Sequence, residues 1–441
     1  MKTFTNVITL CLLVGCGTEA KQEDTSSNLN NTATTTTGNT STTGTTSTTG
    51  TTSTTGTSTG TGTTTGTGTT ATTTGTTTGT GTTSTTTDTT DPAITEFEAR
   101  LSELLDDAGL PGAQTALIKD GRTVWTWNYG FANQEEKAPV TTDTSFPLAS
   151  VSKTVTGTAL MQVYESGAFE LDDPIAPHLS FEVTHPTSGT PITFRHLLTH
   201  TSGIRDNWGV MPYVPGDPTE PLGDYLESYL DPSGDRYDDA NNFNTWGPGD
   251  GYAYSNIGIA LSGYLVESIT GTDFAQWCRE RIFTPLGMEH TGWYLADLDD
   301  ALVAHPHDCY YAPCRTRQHY GYADYPDGLL RSSATDMARF LTMTEQGGSL
   351  DGHVILQEET VAEMLTLQLP SRGQGLVWYQ TEQHGDIFWG HDGGDIGVST
   401  MMFFRPDDGI GYVFWMNGDS VGWSSVIDAR QEMLDAADLL F

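Results

Sequence analysis

The sequence predicts a mixed α/β domain over residues 93–441, built around a mostly antiparallel sheet. Three observations predict this class. Strand-like segments occur near both ends of the region, an amphipathic helix lies outside each group of strands, and helices and long loops dominate residues 150–370. A sheet assembled from both chain ends, flanked by terminal helices and carrying an inserted helical lobe, accommodates this order of elements.

The first predicted elements are a helix and a hairpin. Residues 94–108 carry apolar side chains at helical spacing, and Gly109 follows as a helix stop. Residues 113–132 have the pattern of two strands, for which Asp120-Gly121 supplies the turn. The apolar side chains of the helix are Phe97, Leu101, Leu104 and Leu105.

Strands return near the other end of the chain, where the sequence again alternates and is rich in aromatic and β-branched residues. They are predicted at 375–381, 387–389, 398–404 and 411–416. An amphipathic helix over 424–440 then closes the domain.

Acidic residues dominate the charge of the chain. The 441 residues include 56 Asp+Glu against 19 Lys+Arg, for a formal net charge of −37 at pH 7. Such a surface repels nucleic acid and other polyanions, so nucleic-acid binding is excluded. Residues 93–441 are numerous enough for a substantial core and two lobes.

The first residues have the pattern of an export signal. Residues 1–16 start with Lys2 and an apolar run too short to cross a membrane. The run ends in Leu-Val-Gly-Cys16, which resembles the lipobox of bacterial lipoproteins, so we expect a lipid on Cys16; an ordinary secretory signal cut nearby is the alternative. Residues 26–91 are almost entirely Thr, Gly and Ser, and we expect residues 17–92 to form a disordered tether. Together they predict an exported, membrane-anchored lipoprotein in the periplasm or on the cell surface.

Ser150-Val-Ser-Lys153 is the most informative motif. No other lysine of the chain has a serine three residues before it. Residues three apart share one face of a helix, so the Lys153 ammonium can reach the Ser150 hydroxyl. A serine hydroxyl is a poor nucleophile unless a neighbour takes its proton, which a desolvated lysine can do. Ser150 is therefore the predicted nucleophile, and at a helix N-terminus its own N–H can stabilise a developing oxyanion.

Two further motifs follow at long intervals, Tyr254-Ser-Asn256 and His391-Asp-Gly. Ser-x-x-Lys, Tyr-x-Asn and His-x-Gly in this order resemble the serine β-lactamase and penicillin-binding-protein family. The match is closest to its branch of class C β-lactamases, D,D-carboxypeptidases, D-aminopeptidases and related esterases. Residues 192–204 and 327–340 resemble further landmarks of that family.

The resemblance implies a β-lactamase/transpeptidase-like fold with its active site in the cleft between the lobes. It implies that Tyr254 takes the proton of Ser150 and passes it to the leaving group while Lys153 holds the charge; Lys153 as the base is the alternative. Asn256 would orient Lys153 and donate to a substrate carbonyl. His391 would place a partial positive charge beside the cleft or donate to Tyr254.

The residues after His391 carry the predicted substrate contacts. In the family pattern the N–H of Gly394 is the second oxyanion donor, and Gly393 leaves room for the substrate. Asp392 departs from the pattern, because better-known family members have a hydroxyl residue there that helps to hold a substrate carboxylate. A carboxylate repels one, unless Asp392 points away into an ion pair. We therefore expect neutral esters, amides or amine-bearing substrates rather than penicillins.

Cysteines are few in the domain. Cys278 lies in an apolar helical segment and is expected to be a buried free thiol. Cys309 and Cys314, near His305 and His307, have two interpretations. One is a small disulfide, favoured by an oxidising compartment, and the other is a His/Cys metal site.

These observations predict a surface-tethered serine hydrolase that forms an acyl-enzyme on Ser150 and needs no metal or organic cofactor. The expected substrate is a small molecule or short peptide with an ester, amide or D-aminoacyl bond. The domain is expected to be a monomer whose contact with a membrane is the lipid on Cys16. The alternative is a non-catalytic domain that binds penicillin-like or cell-surface ligands.

Overall fold

The computed structural model describes residues 91–419 and 421–441. The predicted signal (1–16) lies outside this part of the chain, as does nearly all of the predicted tether (17–92). The α-helices are α1 (Pro92–Ala108), α2 (Ser152–Glu165), α3 (Phe194–Leu198), α4 (Leu222–Leu230), α5 (Asn256–Thr270), α6 (Phe274–Cys278), α7 (Thr284–Leu286), α8 (Ala334–Glu345), α9 (Glu358–Met364) and α10 (Trp423–Leu439).

Several β-strands in the lobe between the two groups of long strands are only two residues long. The strands are β1 (Gly112–Lys119), β2 (Arg122–Asn133), β3 (Ala138–Pro139), β4 (Phe146–Pro147), β5 (Val214–Pro215), β6 (Thr291–Gly292), β7 (His307–Asp308), β8 (Arg315–Thr316), β9 (Tyr320–Gly321), β10 (Arg331–Ser332), β11 (Ser349–Leu350), β12 (His353–Val354), β13 (Tyr379–Gln383), β14 (Asp386–Asp395), β15 (Val398–Phe404) and β16 (Gly411–Met416).

The main sheet joins the two ends of the domain. Within the described residues it has seven strands in the order β13-β14-β15-β16-β1-β2-β3, and all neighbours are antiparallel. The join is the pairing of β1 with β16, where Ala113 lies opposite Met416. The predicted sheet built from both chain ends, with a helical lobe inserted between them, is confirmed.

Both faces of this sheet are covered. Along β15 and β16, successive side chains point to opposite faces, so Phe403 and Phe414 pack with α1 and α10, whereas Phe404 and Trp415 pack with α2 and α8. Both strands are therefore buried on both sides, and every residue of β16 is buried. The sheet separates the terminal helices from the lobe that holds Ser150.

The first helix follows its sequence closely. The carboxylate of Asp91 accepts a hydrogen bond from the N–H of Ala93 and caps the N-terminus of α1. Gly109 ends α1 with a left-handed backbone (φ 73°), a conformation that glycine adopts without steric cost. The four apolar side chains predicted to face the core are all buried, namely Phe97, Leu101, Leu104 and Leu105.

Two predicted strands are wrong in their bounds. The strand predicted at 375–381 starts only at Tyr379, because the N–H of Gly375 donates to the carbonyl of Trp378 and closes a turn. The segment predicted at 387–389 belongs to the ten-residue strand β14, which also includes the His-Asp-Gly motif. Polar residues and glycines disfavour a strand locally, but each residue here pairs with β15, and that pairing overrides the local preference.

The cysteine predictions have clear outcomes. Cys278 is a buried free thiol, as predicted. Cys309 and Cys314 form a disulfide. The metal interpretation is wrong, because both sulfurs are bonded to each other and both ring nitrogens of His307 contact the backbone.

None of the helices described between residues 91 and 441 is long and apolar enough to cross a membrane.

Packing between β16 and the terminal helices should contribute strongly to stability. Phe414 is 1% exposed, so Phe414→Ala is expected to lower the free energy of unfolding by about 3–5 kcal/mol. Leu439→Ala is the control, because Leu439 is 81% exposed and its truncation should change the value by less than about 0.5 kcal/mol. Urea unfolding monitored by circular dichroism measures both, and similar losses in the two variants would contradict the described packing.

Candidate active site

Ser150 lies in a tight turn that leads into α2. The turn is a 3₁₀ segment, Ala149–Val151, and Ala149 has a left-handed backbone (φ 47°), which is unusual for a residue with a side chain. Leu148, just before the turn, connects it to two other segments. Its N–H donates to the carbonyl of Leu330, and its carbonyl accepts from the Thr400 hydroxyl. Strand β15 and the segment before β10 thus both hold the nucleophile turn in place.

Lys153 follows one helical turn later and is fully buried. Its ammonium donates to the Ser150 hydroxyl at 3.1 Å and to the backbone carbonyl of Asp327 at 2.6 Å. A buried charge is stable only when its hydrogen bonds are satisfied. The carbonyl of Asp327 therefore fixes Lys153 in position beside Ser150.

Tyr254 approaches the same point from the segment before α5. Its ring centroid lies 4.9 Å from the Lys153 nitrogen and 6.4 Å from the centroid of His391. On its other side the ring stacks on His200 at 4.4 Å. Three distant segments of the chain thus bring together Ser150 and Lys153, Tyr254, and His391.

His391 differs from its expected role. Burial, and to a smaller extent the Lys153 ammonium, lowers the pKa of His391 to about 4, even though the Asp392 carboxylate acts in the opposite direction. Its Nδ1 lies 2.6 Å from the carbonyl of Asp392, so this nitrogen carries the proton of a neutral ring. A full positive charge on His391 is therefore disfavoured at neutral pH, because the ring is buried.

Asn256 also differs from its expected role. It is the first residue of α5, and its backbone N–H donates to the carboxylate of Asp206 at 3.0 Å. Among the residues that the structure describes, the Asn256 side chain makes no hydrogen bond to Lys153. The predicted orienting contact is absent from this conformation.

Asp206 was not found from the sequence, although it organises this end of the site. Its carboxylate accepts from the backbone N–H groups of Asn256 and Ile257 and from the Ser255 hydroxyl. Burial raises the pKa of Asp206, and these N–H groups and the Lys153 ammonium oppose the rise. A lone aspartate in a loop fifty residues before the helix gives no local signal of such a contact.

Strand β14 runs directly past the nucleophile. A side chain added at Gly393 would have its Cβ 2.8 Å from the backbone nitrogen of Ser150 and 2.6 Å from the carbonyl of Leu148. At Gly394 nothing lies within 4 Å of the added Cβ. Gly393 therefore allows the close approach of the strand, and Gly394 borders open space, as an oxyanion donor requires.

Asp392 is half-buried, and its carboxylate accepts a hydrogen bond from the Tyr379 hydroxyl at 2.7 Å. The partner is thus a phenol on the neighbouring strand β13 rather than the cation of an ion pair. Asp392 lies opposite Met401, which packs with the terminal helices, whereas the neighbouring Gly393 faces Ser150. The Asp392 side chain therefore points away from the cleft.

Gly393 provides a test of this geometry. Gly393→Ala should lower the rate of covalent labelling at Ser150 by about 100-fold, because its methyl group displaces the strand from the nucleophile. Gly189→Ala, in an exposed loop outside the site, adds the same methyl group to open space and should change the rate by less than about threefold. Labelling by a fluorophosphonate, followed by intact mass over time, measures both rates. Equal rates would mean that β14 does not contact the Ser150 turn as described.

Comparisons with known proteins agree with the fold and the motifs. The chain is 28% identical over 354 residues to penicillin-binding protein 4 of Amycolatopsis lactamdurans. The aligned region covers 77% of this chain and 88% of that protein. It is 30% identical over 200 residues to a D-aminopeptidase of Gluconobacter oxydans. That aligned region covers 45% of this chain and 35% of that protein.

Among solved structures, the fold is similar to that of an octameric penicillin-binding protein homologue from Pyrococcus abyssi. The TM-score is 0.62 at 23% identity, over 78% of this chain and 77% of the other. The family model described as Beta-lactamase matches residues 97–437, nearly all of the described domain. By this match, together with its three motifs and its sheet, the chain belongs to the beta-lactamase family of serine hydrolases and penicillin-binding proteins.

Proposed function

We propose that the protein is a serine hydrolase that transfers the acyl group of an ester, amide or D-aminoacyl peptide to Ser150 and then to water. The observation that carries the proposal is the 3.1 Å contact between the buried Lys153 ammonium and the Ser150 hydroxyl. A buried lysine that donates to a serine hydroxyl can help to remove the proton of that hydroxyl, which activates the serine as a nucleophile. The glycines of β14 beside the Ser150 turn carry no side chains that would fill the adjoining space.

Acylation starts when the Ser150 oxygen attacks the substrate carbonyl carbon. Its proton passes to Tyr254, with Lys153 holding the charge, and from there to the leaving group as the carbonyl–heteroatom bond breaks. Lys153 and Tyr254 are close enough to act as one coupled proton site, since the ammonium lies 4.9 Å from the phenol ring. The neutral ring of His391 lies 6.4 Å from the Tyr254 ring and adds no charge beside this pair.

The tetrahedral oxyanion forms between two backbone donors. The N–H of Ser150 is the first, and the N–H of Gly394 is the second. Water then attacks the acyl carbon along the same path, and the Tyr254–Lys153 pair takes its proton and returns it to the Ser150 oxygen as the bond between the acyl group and Ser150 breaks. The reaction balances as hydrolysis, with the acid and the alcohol or amine as products.

The substrate classes rest on the family and not on Asp392, whose side chain lies on the face of the sheet opposite to Ser150. Esters, amides and D-aminoacyl peptides are the proposed substrates. The similarity to a D-aminopeptidase supports the inclusion of D-aminoacyl bonds.

The place of action is a proposal from the sequence. A lipid on Cys16 and the Thr/Gly/Ser-rich tether of residues 17–92 would hold the domain away from a membrane surface, in the periplasm or outside the cell. We propose that the domain acts as a monomer.

The nucleophile assignment has a direct test. Ser150→Ala should abolish fluorophosphonate labelling, because the reacting oxygen is lost, and its circular dichroism should match that of the wild type. Ser166→Ala is the control, because this serine lies at the far end of α2 and should label like the wild type. Labelling of Ser150→Ala would refute the nucleophile, and failure of the folded wild type to label would favour a binding domain.

Asp392 should have little influence on the charge preference of the cleft. Its side chain lies on the face of the sheet opposite to Ser150, so Asp392→Ser should change acylation by benzylpenicillin and hydrolysis of p-nitrophenyl acetate by less than about threefold each. Stopped-flow measurement gives both rates, and a selective gain for benzylpenicillin would show that the carboxylate faces the substrate.

A further inference from the structure

His200 is a buried histidine that the reaction above does not use. It follows α3 in the chain and is 1% exposed. Its backbone is left-handed (φ 58°), a conformation that is uncommon and strained for a residue with a side chain. Such a conformation persists only where the surrounding contacts require it, so the contacts of His200 indicate which part of the site does.

Two hydrogen bonds connect His200 to the residues on either side of Tyr254. The N–H of Ala253 donates to the backbone carbonyl of His200 at 3.0 Å. The N–H of Ser255 donates to the Nδ1 atom of its ring at 3.2 Å, across 55 positions of the chain. One residue therefore fixes the backbone immediately before and immediately after the tyrosine.

The ring of His200 also supports the ring of Tyr254. The two rings stack with their centroids 4.4 Å apart and their planes inclined by 30°. The Lys153 nitrogen lies 4.9 Å from the centroid of the same phenol ring. Because stacked aromatic rings attract each other, the imidazole limits the movement of the phenol away from Lys153.

The hydrogen bond at Nδ1 also determines where the ring carries its proton. Nδ1 accepts from Ser255, so the neutral ring has its proton on Nε2. Burial lowers the pKa of His200 well below its usual value, and the Lys153 ammonium acts in the same direction. His200 therefore packs on Tyr254 without adding a second positive charge beside Lys153.

Two features of His200 oppose the stability of the fold. One is the left-handed backbone. The other is its buried Nε2, which has no hydrogen-bond partner within residues 91–419 and 421–441. A residue that keeps both features beside a reactive tyrosine is more consistent with a role in the site than with a role in stability.

We propose that His200 is a positioning residue for Tyr254. It fixes the backbone on both sides of the tyrosine and packs on its ring, which keeps the phenol beside Lys153 and Ser150, where the proton is transferred. His200 itself exchanges no proton in the reaction. The inference rests on the proposed acyl transfer at Ser150 and adds a residue that acts through Tyr254.

The test measures how fast Ser150 reacts once a fluorophosphonate is bound. Intact mass over time, at several probe concentrations, gives the maximal labelling rate (kinact) and the half-saturating concentration (KI). His200→Asn keeps an acceptor for Ser255 and tolerates the left-handed backbone but loses the ring, so kinact should fall about tenfold. His200→Gly tolerates the same backbone but loses both side-chain contacts, so kinact should fall about 100-fold. In both variants KI should change by less than about twofold, because His200 acts on Tyr254 and not on the bound probe.

A double variant shows whether the effect passes through Tyr254. Tyr254→Phe already lacks the hydroxyl that transfers the proton, so adding His200→Asn to it should change kinact by less than about threefold. His185→Asn is the control, because His185 is also buried and its Nδ1 also accepts a backbone N–H, from Thr187, but its ring packs on Phe243. Its kinact should stay within about threefold of the wild-type value.

The proposed function and the role of His200 fail in different ways. Failure of the folded wild type to label would overturn the acyl transfer and the role of His200 with it. Labelling of the wild type with an unchanged kinact in His200→Asn and His200→Gly would overturn the role of His200 alone. An equal loss from His200→Asn with and without Tyr254→Phe would also overturn it, since the effect would then bypass the tyrosine. Partial unfolding of a variant lowers the amplitude of labelling and leaves kinact unchanged, so loss of fold cannot imitate the expected result.

Discussion

The burial of one ammonium group organises this site. Lys153 has no access to solvent, and its hydrogen-bond partners come from its own helix and from a turn 174 residues later. An uncompensated buried charge costs on the order of several kcal/mol, so the Lys153 position is stable only when the turn Tyr325–Asp327 has packed on α2 and supplied the carbonyl of Asp327. The reactivity of Ser150 and the packing of that turn therefore depend on the same contact.

The charges around that contact set the character of the cleft. Asp206 is stabilised by the N-terminus of α5 and Asp395 by tyrosine hydroxyl groups. Asp392 bonds to Tyr379 on the other face of the sheet, so the sheet separates its side chain from the nucleophile. Burial keeps His391 neutral, and the Lys153 ammonium is the cation in contact with Ser150.

Much of this arrangement could be predicted from the sequence, and the limits have physical causes. The period of the apolar residues gave α1 and the long strands, and the motif order gave Ser150, Lys153, Tyr254 and His391, because catalytic chemistry restricts residue type and spacing. The full length of β14 was not predicted, because its glycines and polar residues form a strand only through pairing with β15. The contacts of Asp206 and Asp327 join segments that are far apart in the chain, so local patterns carry no trace of them.

The two faces of the sheet also determine how the domain can be attached to anything else. Helices α1 and α10 pack together on one face, and the Ser150 turn lies with the lobe on the other. Both described ends of the domain thus belong to helices on the face of the sheet opposite to Ser150. Immobilisation through either end, on a bead or on a surface, orients the cleft outward and leaves the path of the substrate unobstructed.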